Sequence, residues 1–174
     1  MPQIMTEQSK SRAFLGLGGN LGSPLEHFRQ ARQQLAEHRK IELLSSSPVY
    51  QTPPLGGPEG QPDYLNAVLE IQTSLSAQNL LHLCRQVEDA AGRVREIHWG
   101  PRTLDIDLLI FAELVTDDPL LTLPHPRLHL RHFVLQPLYD LNPQLQHPGL
   151  NRTIQELLTQ LPPAEGITQF QKTW

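Results

Sequence analysis

Apolar runs and helical-period stretches alternate along the chain and outline its elements. Ala13 to Leu17 is an apolar run stopped by Gly18, Gly19 and Asn20, which predicts a first strand ending in a turn. Ser23, Pro24 and Glu26 then predict a helix start. Ser23 can cap free backbone N–H groups, Pro24 suits the first helical position, and Glu26 completes a capping box. Leu25, Phe28, Ala31 and Leu35 recur at helical spacing and give that helix one buried face. Ile41 to Tyr50 predicts a second strand, and the loosely alternating Tyr64 to Thr73 a third. Between them, prolines and glycines from Thr52 to Asp63 bar regular structure, and an irregular loop of that length is a binding loop or lid. Ser76 caps a second helix with a stripe of Leu80, Leu83, Cys84, Val87 and Ala91, ended by Gly92. Arg93 to Arg102 is an irregular, arginine-rich stretch, and Leu104 to Phe111 is a fourth strand. After Asp118 come short elements broken by Pro119, Pro124 and Pro126. Arg131 to Leu141 then predicts a helix interrupted by Pro137, and Thr153 to Leu161 a last helix capped by Asn151 or Thr153.

The order strand, helix, strand, strand, helix, strand is that of an α+β, ferredoxin-like fold: an antiparallel sheet with helices packed on one face and long loops between elements. We take residues 1–12 as a flexible N-terminal tail and residues 13–174 as a single domain. A composition 39% hydrophobic and 18% charged is that of a globular chain rather than a disordered one. The formal net charge of -4 argues against duplex DNA or an anionic membrane as partner. Cys84 is the only cysteine, so no intrachain disulfide forms; a reducing, cytoplasmic setting and a core role for Cys84 follow. No apolar run reaches the roughly 20 residues of a membrane span, and the first residues carry no apolar signal region.

The chemistry concentrates around Asp105 and Asp107. On a strand these carboxylates share a face, with Leu104, Ile106 and Leu108 on the other and Leu109 and Phe111 continuing the aspartate face. Two carboxylates on one rigid strand suit magnesium, whose remaining positions go to water and phosphate oxygens. The alternative is the wet face of an amphipathic strand. Against it, aspartate is a poor strand residue and paired like charges repel without a cation. Arg93, Arg95 and Arg102 precede the pair, and guanidinium groups bind phosphate oxygens bidentately. Metal-binding carboxylates with arginines are the equipment of phosphate transfer. There is no G-x-x-x-x-G-K-[ST], so this is not a P-loop chain, and Gly16, Gly18, Gly19 and Gly22 read better as a tight turn than a phosphate cradle. His125, His129 and His132 are close in sequence, but Pro126 and the lack of cysteine or glutamate ligands disfavour zinc. Trp99, Tyr64 and Phe133 either pack or stack on a flat heterocycle. A one-phosphoryl kinase and an RNA-binding ferredoxin-like module stand as rival readings. The first would release ADP; the second would need exposed sheet aromatics and a basic surface.

The run Trp99-Gly-Pro-Arg-Thr-Leu-Asp-Ile-Asp107 closely resembles the signature of the hydroxymethyl-dihydropterin pyrophosphokinases. Gly18-Gly-Asn-Leu-Gly-Ser23, Thr52-Pro-Pro-Leu-Gly56, Gln61-Pro-Asp-Tyr-Leu-Asn-Ala67, Gly92-Arg-Val-Arg95, Pro124-His125 and Arg131-His-Phe133 match in order and approximate spacing. His98, Pro126 and Arg85 depart from the pattern. The resemblance implies a ferredoxin-like monomer that moves diphosphate from ATP to a pterin hydroxymethyl group and releases AMP. It implies Asp105 and Asp107 as ligands of two magnesium ions, and Arg93 and Arg102 as catalytic residues stabilising phosphate charge. It places Glu88, Arg95, Trp99, Arg102, Leu108, Thr122, His125 and Arg131 around ATP. It places Thr52, Pro53, Leu55, Tyr64, Asn66, Trp99, Asp105 and Phe133 around the pterin, with the loops before Pro62 and around Arg93 closing over the substrates.

Overall fold

A computed structural model describes residues 8–54, 56–93 and 101–174. The elements are β1 (Ser11–Gly19), α1 (Pro24–Glu37), β2 (Ile41–Ser46), β3 (Val49–Thr52), β4 (Tyr64–Thr73), α2 (Ala77–Ala90), β5 (Asp105–Phe111), β6 (Thr116–Asp118), β7 (Leu121–Leu123), α3 (His132–Leu141), β8 (Gln146–His147), β9 (Arg152–Thr153), α4 (Ile154–Gln160) and β10 (Thr168–Gln171), with a short 3-10 turn at Leu128–Leu130. β4 pairs β1 and β1 pairs β5, while β2 and β3 follow one another along the far edge of β4, all antiparallel. This is the ferredoxin-like order expected.

The predicted second strand is thus two. The break falls at Ser47–Pro48, since proline has no N–H for a ladder. Fully buried Ser47 bridges it: its N–H donates to Val68 O at 2.9 Å, and its Oγ accepts from Val68 N at 2.8 Å. β1 also starts earlier than expected. Ser11 and Arg12, placed in the tail by the sequence, pair with Thr73 and Gln72.

One core lies between the sheet and the helices α1 and α2. It joins Phe28, Ala31 and Leu35 to Leu80, Cys84 and Val87 over Leu15, Leu69 and Ile71. Each large apolar side chain removed from water there contributes about 1.5–3 kcal/mol. Cys84 belongs to this core, where burial pushes its thiol up to about 12, so it is inert at neutral pH. The second helix is capped by Ser76 as predicted. The first is not a capping box: Ser23 makes no side-chain cap bond.

Helices are not confined to one face. α3 and α4 bury Val134, Leu135, Leu138, Ile154 and Leu157 against Phe14, Val68, Leu109 and Ile110 on the opposite side of the sheet. The aspartate face of β5 departs from simple alternation. A bulge between Phe14 and Leu15 of β1 leaves Leu109 as the extra residue of β5, because Leu15 faces Leu108 while Phe14 faces Ile110. Phe111 consequently joins Ile106 and Leu108 in the α1/α2 core, not the aspartate face on which it was expected.

A candidate active site at the end of the central strands

The second face of the sheet is covered only in part. Where α3 leaves it open, a cavity of about 660 Å³ lies over β1, β4 and β5. Its floor is Gly16, Leu17, Ala67, Val68 and Leu109. Asp105 and Asp107 project into it from β5, Thr52 and Pro53 from the end of β3, Tyr64 and Asn66 from β4, and Arg131, Phe133 and Val134 from the start of α3.

The acidic end is tightly wired. Arg93 Nη2 lies 2.7 Å from Asp105 Oδ1, and Arg102 Nη1 lies 2.9 Å from Asp105 Oδ2. Arg93 also pairs through Nη1 with Glu88 Oε2 at 2.7 Å. Glu88, only 3% exposed at the end of α2, accepts the backbone N–H of Ile106 at 2.7 Å through its other oxygen. One buried carboxylate therefore fixes Arg93 and the strand that carries both aspartates. Burial pushes the Glu88 carboxyl up, and its N–H and Arg93 partners oppose that.

Asp107 opens to solvent in the cavity yet is crowded by protein on its other sides. That crowding and the charge of Asp105 push its carboxyl up, with Arg131, Arg93 and Arg102 opposing. Two hard-oxygen donors on one face, that of Asp107 raised by burial and by Asp105, could hold a divalent cation such as magnesium, which would relieve the repulsion. Arg131 is desolvated and stands 5.5 Å from the Phe133 ring; burial lowers its pKa, but guanidinium stays charged and seeks an anion. His125 is held by its N–H to Leu109 O at 2.8 Å, and its Nδ1 accepts from Arg127 N. Burial, then Arg131 and Arg127, push its pKa down to about 4, so the ring is neutral at pH 7.

The opposite end of the cavity is neutral. Asn66 Nδ2 donates to Thr52 Oγ1 at 2.9 Å, and its carbonyl oxygen, close to Gly18 of β1, is an acceptor; Tyr64 and Phe133 line the same cavity. A glycine makes the two ends meet. A Cβ on Gly19 would stand 2.6 Å from Thr103 O, so the chain entering β5 packs against β1 only because residue 19 has none. Asn20, buried, completes the junction: its Oδ1 accepts Arg102 N at 2.8 Å and its Nδ2 donates to Pro62 O at 3.0 Å.

The cavity thus gathers Thr52, Pro53, Tyr64, Asn66, Arg102, Asp105, Asp107, His125, Arg131 and Phe133, with Arg93 bound to Asp105. Leu108 faces the other way, into the α1/α2 core. Thr122 lies on β7 away from the lining, its hydroxyl donating to Asp118 O at 3.0 Å. Glu88 lies beneath the cavity rather than in it. Leu55, Arg95 and Trp99 lie outside the described residues. Arg127, which lines the cavity beside Pro126, carries no sequence signal that singles it out, and Asn20 is marked in the sequence only as an amide directly after two glycines.

Comparison with known proteins gives this geometry its context. A family model described as 7,8-dihydro-6-hydroxymethylpterin-pyrophosphokinase (HPPK) matches residues 14–143. The chain is 41% identical over 159 residues to the 2-amino-4-hydroxy-6-hydroxymethyldihydropteridine pyrophosphokinase of Pseudomonas aeruginosa, covering 91% of this chain and 96% of that protein. It is 38% identical over 165 residues to the folic acid synthesis protein fol1 of Schizosaccharomyces pombe, covering 94% of this chain but only 22% of that much longer one. Its fold resembles that of Plasmodium falciparum HPPK-DHPS wild type with pteroate (TM-score 0.68, 15% identity), covering 88% of this chain and 42% of that one. The family match spans β1 to α3 and every residue lining the cavity, and the chain belongs to the 7,8-dihydro-6-hydroxymethylpterin-pyrophosphokinase family.

Proposed function

We propose that this cavity is the active site at which the chain, an ATP-dependent diphosphotransferase of folate synthesis, moves a diphosphate from ATP to 6-hydroxymethyl-7,8-dihydropterin. The hydroxymethyl oxygen forms a bond to the β-phosphorus of ATP, the bond from that phosphorus to the α–β bridging oxygen breaks, and AMP leaves. The observation that carries this reading is the juxtaposition, across one cavity, of the Asp105–Asp107–arginine cluster and the neutral Thr52–Asn66–Phe133 end.

Asp105 and Asp107 would hold two magnesium ions. Bound there, magnesium would neutralise phosphate charge and polarise the phosphorus under attack. Arg93 and Arg102 would leave Asp105 for the phosphates and stabilise the charge that develops as AMP departs. Their present pairing with Asp105 keeps both guanidinium groups at the acidic end of the cavity, within reach of phosphates bound there. Arg131 and His125 would line the ATP side, a neutral imidazole offering a hydrogen bond without adding charge. By resemblance, Arg95, Trp99, Leu108 and Thr122 join that side, Leu108 through its backbone, and Glu88 acts through Arg93.

The flat pterin would lie on Phe133, its edge read by the Asn66 amide and by backbone groups near Thr52, Pro53 and Leu55. Tyr64, Trp99 and Asp105 would close around it. The reading takes the chain from β1 onward, rather than from residue 13, as one pyrophosphokinase domain, monomeric and cytoplasmic. No helix among the described residues is long and apolar enough to cross a membrane. Purified protein supplied with magnesium, ATP and the pterin should release AMP in a pterin-dependent way, resolved by chromatography. Release of ADP would replace the reading with an ordinary kinase.

A further inference from the structure

The last residues of the chain lie beyond the family match, yet they fasten the neutral end of the cavity from outside. β10 adds to the free edge of β3, Thr168 opposite Gln51 and Gln169 opposite Tyr50. β3 is a four-residue strand, and its last residue is Thr52, the hydrogen-bond partner of Asn66. Just before β10, Gly166 takes φ 75°, and a Cβ there would stand 3.1 Å from Pro53 Cδ and Cγ. The segment therefore rests against the back of the residue that lines the cavity.

Its far end is anchored at the break between β2 and β3. Trp174 Nε1 donates to Ser47 O at 2.7 Å, and Ser47 in turn holds the backbone of Val68, a floor residue. The Trp174 ring packs edge-on to Phe28 with centroids 5.9 Å apart, under the Arg32 guanidinium at 4.5 Å. Arg32 also donates to the Trp174 carbonyl oxygen. Both ends of β3 are thus held by one segment, at Ser47 and at Pro53.

We infer that residues 162–174 form a clamp that positions the pterin-facing wall of the cavity, with Gly166 and Trp174 as its positioning residues. The inference rests on the assignment of Thr52, Pro53 and Asn66 to the pterin. A 1 Å displacement of a positioning group can cost up to about 100-fold in rate or binding. The clamp touches the wall at Pro53 and through Ser47 and Val68, while the arginine–aspartate cluster hangs on Glu88 and Asn20 at the other end. Loosening the clamp should therefore weaken the pterin and spare ATP.

The test is a comparison of KM for pterin and for ATP in Gly166→Ala, Trp174→Ala, Trp174→Phe and, as a reference, Asn66→Ala, with a thermal melt of each. Gly166→Ala lies at the surface and tests the clamp even if Trp174→Ala fails to fold. We expect pterin KM to rise about tenfold in Gly166→Ala and Trp174→Ala with ATP KM unchanged. Trp174→Phe, which keeps a ring between Arg32 and Phe28 but loses the donor to Ser47, should fall between. Equal changes in both KM values, or a lowered Tm with neither changed, would reduce the segment to general support and overturn the inference. An Asn66→Ala enzyme with normal pterin KM would instead overturn the site assignment beneath it.

Discussion

At the scale of single residues, the site is built from groups whose charge is set by what surrounds them. Glu88 is the clearest case. It is buried beneath the cavity, holds Arg93 and the N–H of Ile106, and so places both that arginine and the strand between the two aspartates. The paired carboxylates were legible from alternation because side chains on a strand change face at every step. Phe111 was misplaced by the same rule, since the bulge at Leu109 inserts one residue and reverses the faces beyond it. His125 carries a pH consequence. Its folded pKa of about 4 lies below the ordinary 6.5, so between these values the unfolded chain binds a proton that the fold does not. Stability therefore rises with pH through this window and is lost as pH falls from about 6.5 towards about 4. Urea unfolding at pH 7 and pH 5 should show a smaller acid loss in His125→Gln than in wild type; equal losses would remove His125 as a source.

At the scale of elements, what matters is how closely loops approach strands. Gly18, Gly19 and Asn20 read in the sequence as a turn, but Gly18 and Gly19 continue β1 as paired strand and only Asn20 leaves it; their main task is contact with the entry to β5. Gly19→Ala would drive a methyl into Thr103 O, a backbone atom with little room to yield. Overpacking of this kind costs about 1–3 kcal/mol. The variant should show that loss in thermal melts and a fall in turnover, because Arg102 and Asp105 lie on the displaced chain. An unchanged Tm and kcat would show the junction to be soft. Helix starts were legible to differing degrees. Thr153 and Glu156 form the reciprocal capping box at α4, whereas Ser23 and Glu26 carry the same pattern and do not, since α1 relies on Pro24 and backbone bonds alone. Asn151, the other cap considered for α4, sits instead at φ 54° in the β8–β9 turn.

At the scale of the whole molecule, the division of labour between faces explains where the cavity is. The helices α1 and α2 cover the central strands on one side of the sheet, while α3 and α4 cover only part of the other, leaving the strand ends of β1, β4 and β5 open there. Order of elements announced the sheet and its first two helices because each has a strong period. The second helical layer was harder to see: Pro137 interrupts α3, and nothing local says which side of a sheet a helix will take. β10 gave no signal at all, because Thr168 to Phe170 are exposed and an edge strand in water on both faces needs no alternation. If the aspartate pair on β5 serves transfer at this cavity, pterin-dependent AMP release must depend on Asp107, which a comparison of Asp107→Ala with wild type measures, both checked for fold by circular dichroism. The expected result is a folded variant slowed by about 100- to 1,000-fold, the scale of losing an electrostatic stabiliser of the transition state; a folded variant that releases AMP at the wild-type rate would remove the aspartate pair from the reaction.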